Sequence, residues 1–351
     1  MSNQKLNPLV SVIIPVEEVG DDLRQCISSL QKQTYENWEL LVFVTKDNGE
    51  RFPKVRIIEN PELKGQPAEK RDLALKYAEG EILAFIDDDV YPSATWLERA
   101  VPHFSSALIA GVGGPMVTPP EDSLLEKAGG WVWASYLGSG GAGTYRCLPG
   151  KAREVDDYPT ANLLVRKSDF AAVSGFDSNY WPGEDTKLCL DLTRKLGKKI
   201  IYDPGVLVYH HRRAIFKAHL RQIRGYGLHR GYFARVLPET SRRIGYFVPS
   251  LFLLFILGVP LLIISSSLFS YLLSKLIFYG YLFTLLFYFV LLLFTGFWVF
   301  RMSKDWRLGF LVIPAIVVTH AYYGIMFIKG FLSSGMKRNT HPFFWMKRNQ
   351  P

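Results

Sequence analysis

The chain has 351 residues, of which 48% are hydrophobic, and its formal net charge is +9. A chain of this length can form one large domain or two ordinary ones. Residues 1–211 contain 23 Lys and Arg against 30 Asp and Glu, whereas residues 212–351 contain 18 against 2. Because the positive charge adjoins long apolar stretches, we expect contact with an anionic membrane surface and no binding of nucleic acid.

Three cysteines, Cys26, Cys147 and Cys189, lie far apart in the sequence. They form no Cys-x-x-Cys motif, so neither a zinc site nor a disulfide framework is indicated. The first ten residues do not have the basic and then apolar pattern of a signal peptide. We therefore expect the first domain to face the cytoplasm.

The first hundred residues alternate apolar runs with helical patterns, as in doubly wound α/β sheets whose strands are mostly parallel. The patterns predict strands at residues 9–15, 38–44, 55–59 and 81–86, and helices at residues 21–31 and 67–78. Ligands of such sheets bind outside the carboxyl ends of the strands. The ligand site is thus expected at residues 15–18, 45–48 and 87–89.

The region after residue 110 is less regular. Residues 111–150 are rich in Gly, Trp and Tyr, and residues 138–143 contain few apolar side chains. That short segment fits either a mobile lid or a plain linker. Residues 161–165 predict another strand, and a Gly-Glu-Asp sequence at 183–185 precedes a helical pattern.

The second half of the chain predicts a membrane region. Residues 212–243 contain nine Lys and Arg, one acid and many interleaved aromatic side chains, which favours an amphipathic helix at the membrane surface over a solvated linker helix. The apolar stretches 246–264, 276–300 and 308–328 can each cross a core of roughly 30 Å. The predicted division is a catalytic domain at 1–211, an interface segment at 212–243, a transmembrane region at 244–334 and a basic tail at 335–351.

Three spans is the simplest count, although the charges leave the number of crossings open. The positive-inside rule places Arg242, Arg243 and the basic loop 301–307 in the cytoplasm, which agrees with a two-span hairpin between them. A third full crossing would place the basic tail outside, so either the last segment re-enters or the rule is broken. Pro314 and His320 favour a bent or interrupted last helix.

The strongest local signal is the run Asp87-Asp88-Asp89 at the end of the fourth predicted strand. Three neighbouring carboxylates repel one another unless a cation offsets them. Mg²⁺ and Mn²⁺ bind carboxylate and phosphate oxygens together. The run therefore predicts a metal-bridged diphosphate site, and a solvated acidic turn is the alternative.

A series of motifs extends over nearly the whole chain: VSVIIP at 10–15, SSL-x-x-QTY-x-x-WE at 28–39, Lys64-Gly65, RDLA at 71–74, Asp87-x-Asp89, Asn162 ahead of Arg166, Gly-Phe-Asp at 175–177, Gly-Glu-Asp at 183–185, His210 with Arg213, and HAYYG at 320–324. In this order they resemble family 2 glycosyltransferases of the GT-A fold. The resemblance is to non-processive, membrane-anchored members that build bacterial exopolysaccharides and other glycoconjugates.

The resemblance implies a role for each matching residue. Asp87, Asp89 and His210 would hold an Mn²⁺ or Mg²⁺ ion on the donor diphosphate, and Asp185 would be the general base. One base without a covalent intermediate would invert the anomeric carbon. Contacts with the donor are expected from Pro15, Glu17, Asp47, Lys64, Arg71, Asp87 and Asp88, and contacts on the acceptor side from Asn162, Trp181 and Glu184.

Several alternatives stay open at this point. The Gly-Glu-Asp sequence also suits a helix N-terminus, Lys64 and Arg71 also suit salt bridges, and His211 competes with His210 for the metal. Residues 16–18 and 45–48 depart from the family's usual Thr-Tyr-Asn and paired Asp, which leaves the nucleotide base open. The Gln-x-x-Arg-Trp motif of processive synthases is absent, which favours addition of one sugar.

We therefore expect an inverting transfer of one sugar from a nucleotide diphosphate sugar to a lipid-linked or membrane-proximal acceptor. The enzyme would be a multi-pass protein of the cell membrane with a cytoplasmic catalytic domain. A polyprenyl-phosphate sugar synthase and a catalytically silent scaffold are the alternatives. The presence of Asp87, Asp89 and Asp185 argues against the scaffold, and the scarcity of ionisable residues in the apolar stretches argues against a transporter.

Overall fold

A computed structural model of the chain describes residues 7–177, 180, 183–268 and 270–335. These residues form two compact units. The first comprises the described residues of 7–120 and 145–211, and the second those of 121–144 and 212–335. The domain limits predicted from the sequence stay a prediction. That prediction placed residues 121–144 in the first domain, whereas the structure groups them with the second unit.

The strands of the described residues belong to the first unit. They are β1 Val10–Val16, β2 Trp38–Val44, β3 Val55–Glu59, β4 Ile82–Ile86, β5 Val90–Pro92, β6 Ile109–Gly113, β7 Met116–Val117, β8 Arg153–Val155, β9 Asn162–Arg166, β10 Lys199–Tyr202 and β11 Val208–His210. The five strands predicted from the sequence thus form within one or two residues of their expected limits.

The α-helices are distributed over both units. In the first unit they are α1 Asp21–Leu30, α2 Pro67–Asp72, α3 Ala74–Tyr77, α4 Trp96–Ala100, α8 Lys167–Ala172 and α9 Glu184–Leu190. The short helix α7 Thr144–Cys147 also belongs to the first unit except for its first residue. In the second unit the helices are α5 Leu124–Ala134, α6 Tyr136–Ser139, α10 Lys217–Val236, α11 Pro238–Ser241, α12 Ile244–Ser267, α13 Tyr271–Ser303 and α14 Trp306–Leu332. The helix predicted at 67–78 is divided into α2 and α3 at Leu73.

The main sheet has the strand order β3-β2-β1-β4-β9-β6-β10-β8, and β5-β11-β7 form a small second sheet. The strands β3, β2, β1 and β4 are parallel, whereas β9 is antiparallel to both of its neighbours. Successive side chains of a strand point to opposite faces. Val12 and Ile14 accordingly enter one core with Leu23, and Ile13 enters the other with Phe170. Cores on both faces explain why the strands are nearly continuous apolar runs.

The second unit begins with α5, whose first turn has a capping box between Ser123 and Glu126. The glycine-rich segment that follows is closely packed: a Cβ atom at Gly138 or Gly143 would lie 2.3 or 2.2 Å from a backbone carbonyl oxygen of α5. The sequence predicted either a mobile lid or a plain linker for this segment. Neither prediction included the short helices and the tight glycine contacts of the structure. These glycines allow the chain to turn against α5 where a larger residue would not fit.

Three helices, α12, α13 and α14, are long and apolar enough to cross a membrane, by length and composition. They contain the three stretches predicted from the sequence. Of the two forms predicted for the last helix, bent or interrupted, the structure excludes the interruption, because α14 continues through Pro314 without a break. The basic segment at 212–243 forms α10, which buries Ile223, Gly227 and Phe233 within the unit.

Candidate active site

The acidic run lies where the sheet predicts a ligand. Asp87 follows β4 directly, and β4 pairs in parallel with β1, which pairs in parallel with β2. The carboxyl ends of parallel neighbours meet at one edge of the sheet. Residues 15–18, 45–48 and 87–89 therefore lie side by side, as the sequence predicts.

Arg71 of α2 connects the two acidic motifs. Its side chain is only 2% exposed, and Nη2 donates to Asp87 Oδ1 at 2.7 Å while Nη1 donates to Glu184 Oε1 at 3.1 Å. A planar guanidinium can serve two carboxylates at once. Asp87 of the Asp-x-Asp run and Glu184 of the Gly-Glu-Asp sequence are thus held by one buried cation.

Glu184 and Asp185 occupy different environments in the first turn of α9. Glu184 is buried, which raises the pKa of its carboxyl, and the Arg71 guanidinium opposes that rise. Asp185 is half-buried, and its Oδ1 accepts a hydrogen bond from Thr186 N at 2.7 Å. Gly183 precedes them at φ +152°, a backbone conformation that favours glycine. The Gly-Glu-Asp sequence therefore begins a helix, and it also contains two acids of which Asp185 is the more exposed to solvent.

The two histidines at the end of β11 have different partners. β11 pairs with β5 so that His210 lies opposite Val90, next to Asp89. His210 Nε2 is 3.6 Å from Asp89 Oδ1, and the Asp89 side chain is 8% exposed. His211 Nε2 instead lies 2.8 Å from Gln25 Oε1. His210 is therefore the imidazole that faces the carboxylate of Asp89.

Lys70 is a site residue that the sequence analysis missed. Its Nζ donates to the carbonyl oxygen of Val16 at 2.5 Å and to Thr45 Oγ1 at 2.6 Å. Burial lowers the pKa of Lys70 to about 8, although the carboxylates of Glu17 and Asp88 oppose the change. Lys70 thereby ties α2 to the ends of β1 and β2. The signal available in the sequence was a lysine next to Arg71 on a helix that packs against the sheet.

Asp72 fixes the other side of α2. Its Oδ1 accepts a hydrogen bond from Phe176 N at 2.8 Å, and burial raises the pKa of the Asp72 carboxyl to about 7. Gly175 has φ +75°, and a Cβ atom there would lie 2.4 Å from the same oxygen. The Gly-Phe-Asp sequence at 175–177 therefore contains a glycine because the chain passes directly over Asp72.

Some predicted donor contacts are not joined to this cluster. The carboxylate of Asp47 pairs with Arg51 at 2.8 Å, and those hydrogen bonds lower the pKa of Asp47. Lys64 is exposed. Pro15 is buried within β1, opposite Phe43 of β2. Their contacts with a donor stay predictions.

Among the predicted acceptor-side residues, Glu184 belongs to the cluster through Arg71, whereas Asn162 does not. Asn162 is fully buried, and its amide donates to the carbonyl oxygens of Gly114 and Val206 at 2.8 Å each. Its oxygen accepts from the indole of Trp96 at 2.8 Å. These contacts give Asn162 a role inside the core. Trp181 lies outside the described residues.

The residues present fit a divalent ion that shares its coordination with phosphate. Asp89 and His210 present an oxygen and a nitrogen donor that suit Mn²⁺. Asp87 is paired with Arg71, and within the described ranges no three His, Cys, Asp or Glu side chains are grouped to hold an ion by themselves. An ion with few protein ligands is usual where substrate phosphates complete the coordination.

Solved structures with a similar shape are distant from this chain. A mannosyltransferase from Pyrobaculum calidifontis, solved with GDP-Man and Mn²⁺, is 17% identical, with a TM-score of 0.47 over 66% of this chain and 65% of that one. GalNAc-T7, solved with UDP, GalNAc and Mn²⁺, is 15% identical, with a TM-score of 0.46 over 68% and 52%. At this level of similarity, the ligands of those proteins say nothing about this chain.

Sequence relatives cover part of the chain. The pre-mycofactocin glycosyltransferase of Mycobacterium tuberculosis is 29% identical over 216 residues, which is 58% of this chain and 43% of the relative. Glycosyltransferase AglE of Haloferax volcanii is 32% identical over 120 residues, 30% of this chain and 39% of AglE. The Escherichia coli protein WfgD, a UDP-Glc:alpha-D-GlcNAc-diphosphoundecaprenol beta-1,3-glucosyltransferase, is 39% identical over 102 residues, 26% of this chain and 40% of WfgD. The chain thus spans less than half the length of these relatives.

Two family profiles match the chain itself. The profile described as glycosyl transferase family 2 matches residues 11–142, and that described as glycosyl transferase family group 2 matches residues 82–302. The mixed α/β sheet typical of the GT-A fold, followed by helices apolar enough to span a membrane, confirms the predicted fold class. Because the second profile covers more than half of the chain, the protein belongs to the family 2 glycosyltransferases.

Proposed function

We propose that the enzyme transfers one sugar from a nucleotide diphosphate sugar to a lipid-linked or membrane-proximal acceptor, with inversion at the anomeric carbon. The observation that carries the proposal is the buried Arg71, which holds Asp87 and Glu184 together. Arg71 places Asp87, which is expected to bind the donor, next to Glu184, which is expected on the acceptor side. Sugar transfer needs both groups in one cleft.

The donor end is proposed to consist of the strand ends, Lys70 and the metal ligands. Asp89 and His210 would hold Mn²⁺ or Mg²⁺, which when bound would stabilise the charge that develops on the departing nucleoside diphosphate. The Lys70 ammonium lies between the ends of β1 and β2 and keeps Val16 and Thr45 in place. That contact supports a preformed surface for the nucleotide.

The acceptor end is proposed to depend on Asp185 as general base. Glu184 is buried and pairs with Arg71, whereas Asp185 is half-buried, so Asp185 is the more solvent-accessible acid of the two. It would take the proton of the acceptor hydroxyl as the oxygen attacks the anomeric carbon. A single displacement of this kind inverts the configuration.

A membrane location is proposed from the three apolar helices. The positive-inside rule puts Arg242 and Arg243 on the cytoplasmic side. The printed name of the E. coli relative WfgD specifies a diphosphoundecaprenol-linked acceptor. That name supports a lipid-linked acceptor embedded in the membrane.

The donor is tested by thermal unfolding of the purified full chain in detergent. The cysteines Cys26, Cys147 and Cys189 are buried and all lie in the first unit, so a thiol-reactive fluorogenic dye reports unfolding of that unit. We expect one of the uridine, guanosine or thymidine diphosphate sugars to raise the unfolding temperature only with Mn²⁺ or Mg²⁺ present. Absence of any protection and of any transfer to lipid-linked acceptors would refute the proposal.

The metal ligands are tested by His210→Gln. The variant should lose the metal-dependent part of the protection and need roughly tenfold more Mn²⁺ for activity. His103→Gln is the matched control, because His103 also faces an acid, Asp203 at 2.7 Å, which is not part of the acidic run. Equal effects of both substitutions would argue against a metal role for His210.

A further inference from the structure

The first two apolar helices form an antiparallel hairpin. Ser274 Oγ of α13 donates to the carbonyl oxygen of Ile263 in α12 at 3.2 Å, and further along Tyr281 Oη donates to that of Ile256 at 3.3 Å. Residues later in α13 thus contact residues earlier in α12. The end of α13 therefore returns to the side on which α12 begins.

The last helix, α14, begins on that same side. Only Lys304 and Asp305 separate it from α13. Its first turns pack against the end of α13 so closely that a Cβ atom at Gly309 would lie 2.5 Å from the carbonyl oxygen of Gly296. If α14 were a third crossing, it would now run beside α12 in the same direction, toward the far side.

The helix follows that course as far as His320, whose Nδ1 lies 2.9 Å from Tyr288 Oη of α13, and departs from it afterwards. Ser250 Oγ of α12 donates to the carbonyl oxygen of Gly324 at 3.1 Å. The rings of Phe327 and Phe331, one and two turns later, lie 4.8 and 6.5 Å from the ring of Phe247. Later residues of α14 thus meet earlier residues of α12. The helix passes the beginning of α12 instead of continuing alongside it.

The basic helix α10 lies along the second half of α14. His219 Nε2 at its beginning is 3.0 Å from Thr319 Oγ1, and the side chain of Arg235 at its end donates to the carbonyl oxygen of Ser333. The two helices therefore run side by side in the same direction over about 20 Å, since an α-helix rises about 1.5 Å per residue.

The end of α14 also lies next to the start of α12. Arg242, just before α12, donates from Nε to the carbonyl oxygen of Ala234 at 2.9 Å. The next residue after Ala234 is Arg235, which donates to the carbonyl oxygen of Ser333 at the end of α14. Both ends of α14 are consequently found on the side from which α12 starts.

The charges of α10 agree with this geometry. Its 20 residues include Lys217 and four arginines but neither Asp nor Glu, and Arg224 and Arg235 are exposed. An arginine at the centre of a bilayer costs roughly 2.5–3.5 kcal/mol or more. A partner helix that shares the depth of α10 is thus unsuited to the hydrocarbon centre. One stripe of α14 nevertheless exposes apolar side chains, among them Phe310, Val317 and Ile325, which suits shallow immersion beneath anionic headgroups.

We propose that the chain crosses the membrane twice, through α12 and α13, and that α14 lies with α10 along the cytoplasmic headgroup layer. The partner of this surface is the anionic lipid of that leaflet. The inference rests on the proposed membrane location and goes beyond the proposed activity. It also keeps Lys337, Arg338, Lys347 and Arg348 of the tail on the cytoplasmic side, so the positive-inside rule holds.

The proposal is tested with single added cysteines in the full chain and a membrane-impermeant maleimide. Suitable exposed positions are Glu239 before α12, Ser267 at the hairpin tip, Lys304 before α14 and Ser334 after it. The native cysteines are buried, and the unmodified chain measures their background labelling. We expect E239C, K304C and S334C to label at least tenfold better in inside-out vesicles than in right-side-out vesicles, and S267C to show the opposite preference.

Labelling of S334C from the same side as S267C, fully or in part, would overturn the proposal. A second measurement avoids substitutions: the full chain with a C-terminal fluorescent protein should fluoresce in a bacterial host, and the same chain with C-terminal alkaline phosphatase should be inactive. Active phosphatase would likewise overturn the two-crossing arrangement. Release of the chain from membranes by alkaline carbonate would instead contradict the proposed membrane location. The proposed sugar transfer would still be tested separately, by whether donors raise the unfolding temperature.

Discussion

Replacing Arg71 by Met should destabilise the catalytic unit strongly. The substitution keeps most of the side-chain length and removes the cation that pairs with Asp87 at 2.7 Å and Glu184 at 3.1 Å. Glu184 is 8% exposed and would lose its ion-pair partner, whereas Asp87 is 23% exposed and can recover some hydration. Removing one partner of a buried ion pair costs about 3–5 kcal/mol. We expect the lower end of that range, because one of the acids is partly hydrated.

The expected change is large enough to measure by thermal unfolding with the thiol-reactive dye. A loss of 1 kcal/mol lowers the unfolding temperature of a unit of this size by roughly 2–4 °C. Arg71→Met should therefore unfold about 6–12 °C below the wild-type chain. The deficit should shrink as the pH is lowered, because the pKa of Glu184, already raised by burial, would rise further without Arg71 and the carboxyl would take up a proton.

Arg56→Met is the matched control. Arg56 also faces two acids, Glu39 at 3.4 Å and Glu79 at 3.7 Å, but its side chain is 48% exposed. Exposed pairs contribute about 0–1 kcal/mol, so this variant should unfold close to the wild-type temperature. An Arg71→Met variant that unfolds within 2 °C of wild type, or a deficit no greater than that of Arg56→Met, would refute the reasoning.

Three further outcomes follow from the site. Asp185→Asn should lower kcat by roughly 10²–10⁴-fold, and the donor should still protect the variant against unfolding. The control Asp156→Asn changes an exposed acid and should leave kcat unchanged. Equal rates for wild type and Asp185→Asn would exclude Asp185 as the general base. Since the pKa of Lys70 is about 8, the wild-type KM for donor should rise roughly tenfold above that pH as charged hydrogen bonds are lost, whereas Lys70→Arg should show a flat profile. With a folded-state pKa of about 7, Asp72 keeps a proton that the unfolded chain has lost, so the free energy of unfolding should fall as pH rises from about 4 to 7. Asp72→Asn should remove a decline on the order of 4 kcal/mol, which corresponds to about three pKa units, and an unchanged pH profile in urea unfolding would contradict that origin.

The sequence was sufficient for the fold class and for five of the eleven strands in the described residues, because those depend on local apolar patterns. Trp38–Val44 and Val55–Glu59 form at their predicted limits. The acidic run was located correctly for the same reason: it follows an apolar strand, and the ends of such strands collect ligands.

Pairings between distant residues were not predictable in the same way. Arg71 and Glu184 are 113 residues apart, and nothing local indicates that one guanidinium serves both motifs. Lys70 was overlooked because a lysine on a short helix is ordinarily solvated. Asn162 matched a family motif, yet the structure places its amide among core carbonyls. In each case the outcome depends on which strands become neighbours.

The assignment of residues 121–144 to the helical unit affects how the enzyme can be shortened. A chain that stopped at residue 211 would retain α5 without the helices that cover it, and would leave Ala128 and Val132 facing water although they are buried among Ile316 and other apolar residues of α14. Such a fragment would tend to aggregate even if its sheet were intact. A water-soluble form is better sought by replacing residues 121–144 with a short polar loop and ending the chain at residue 211.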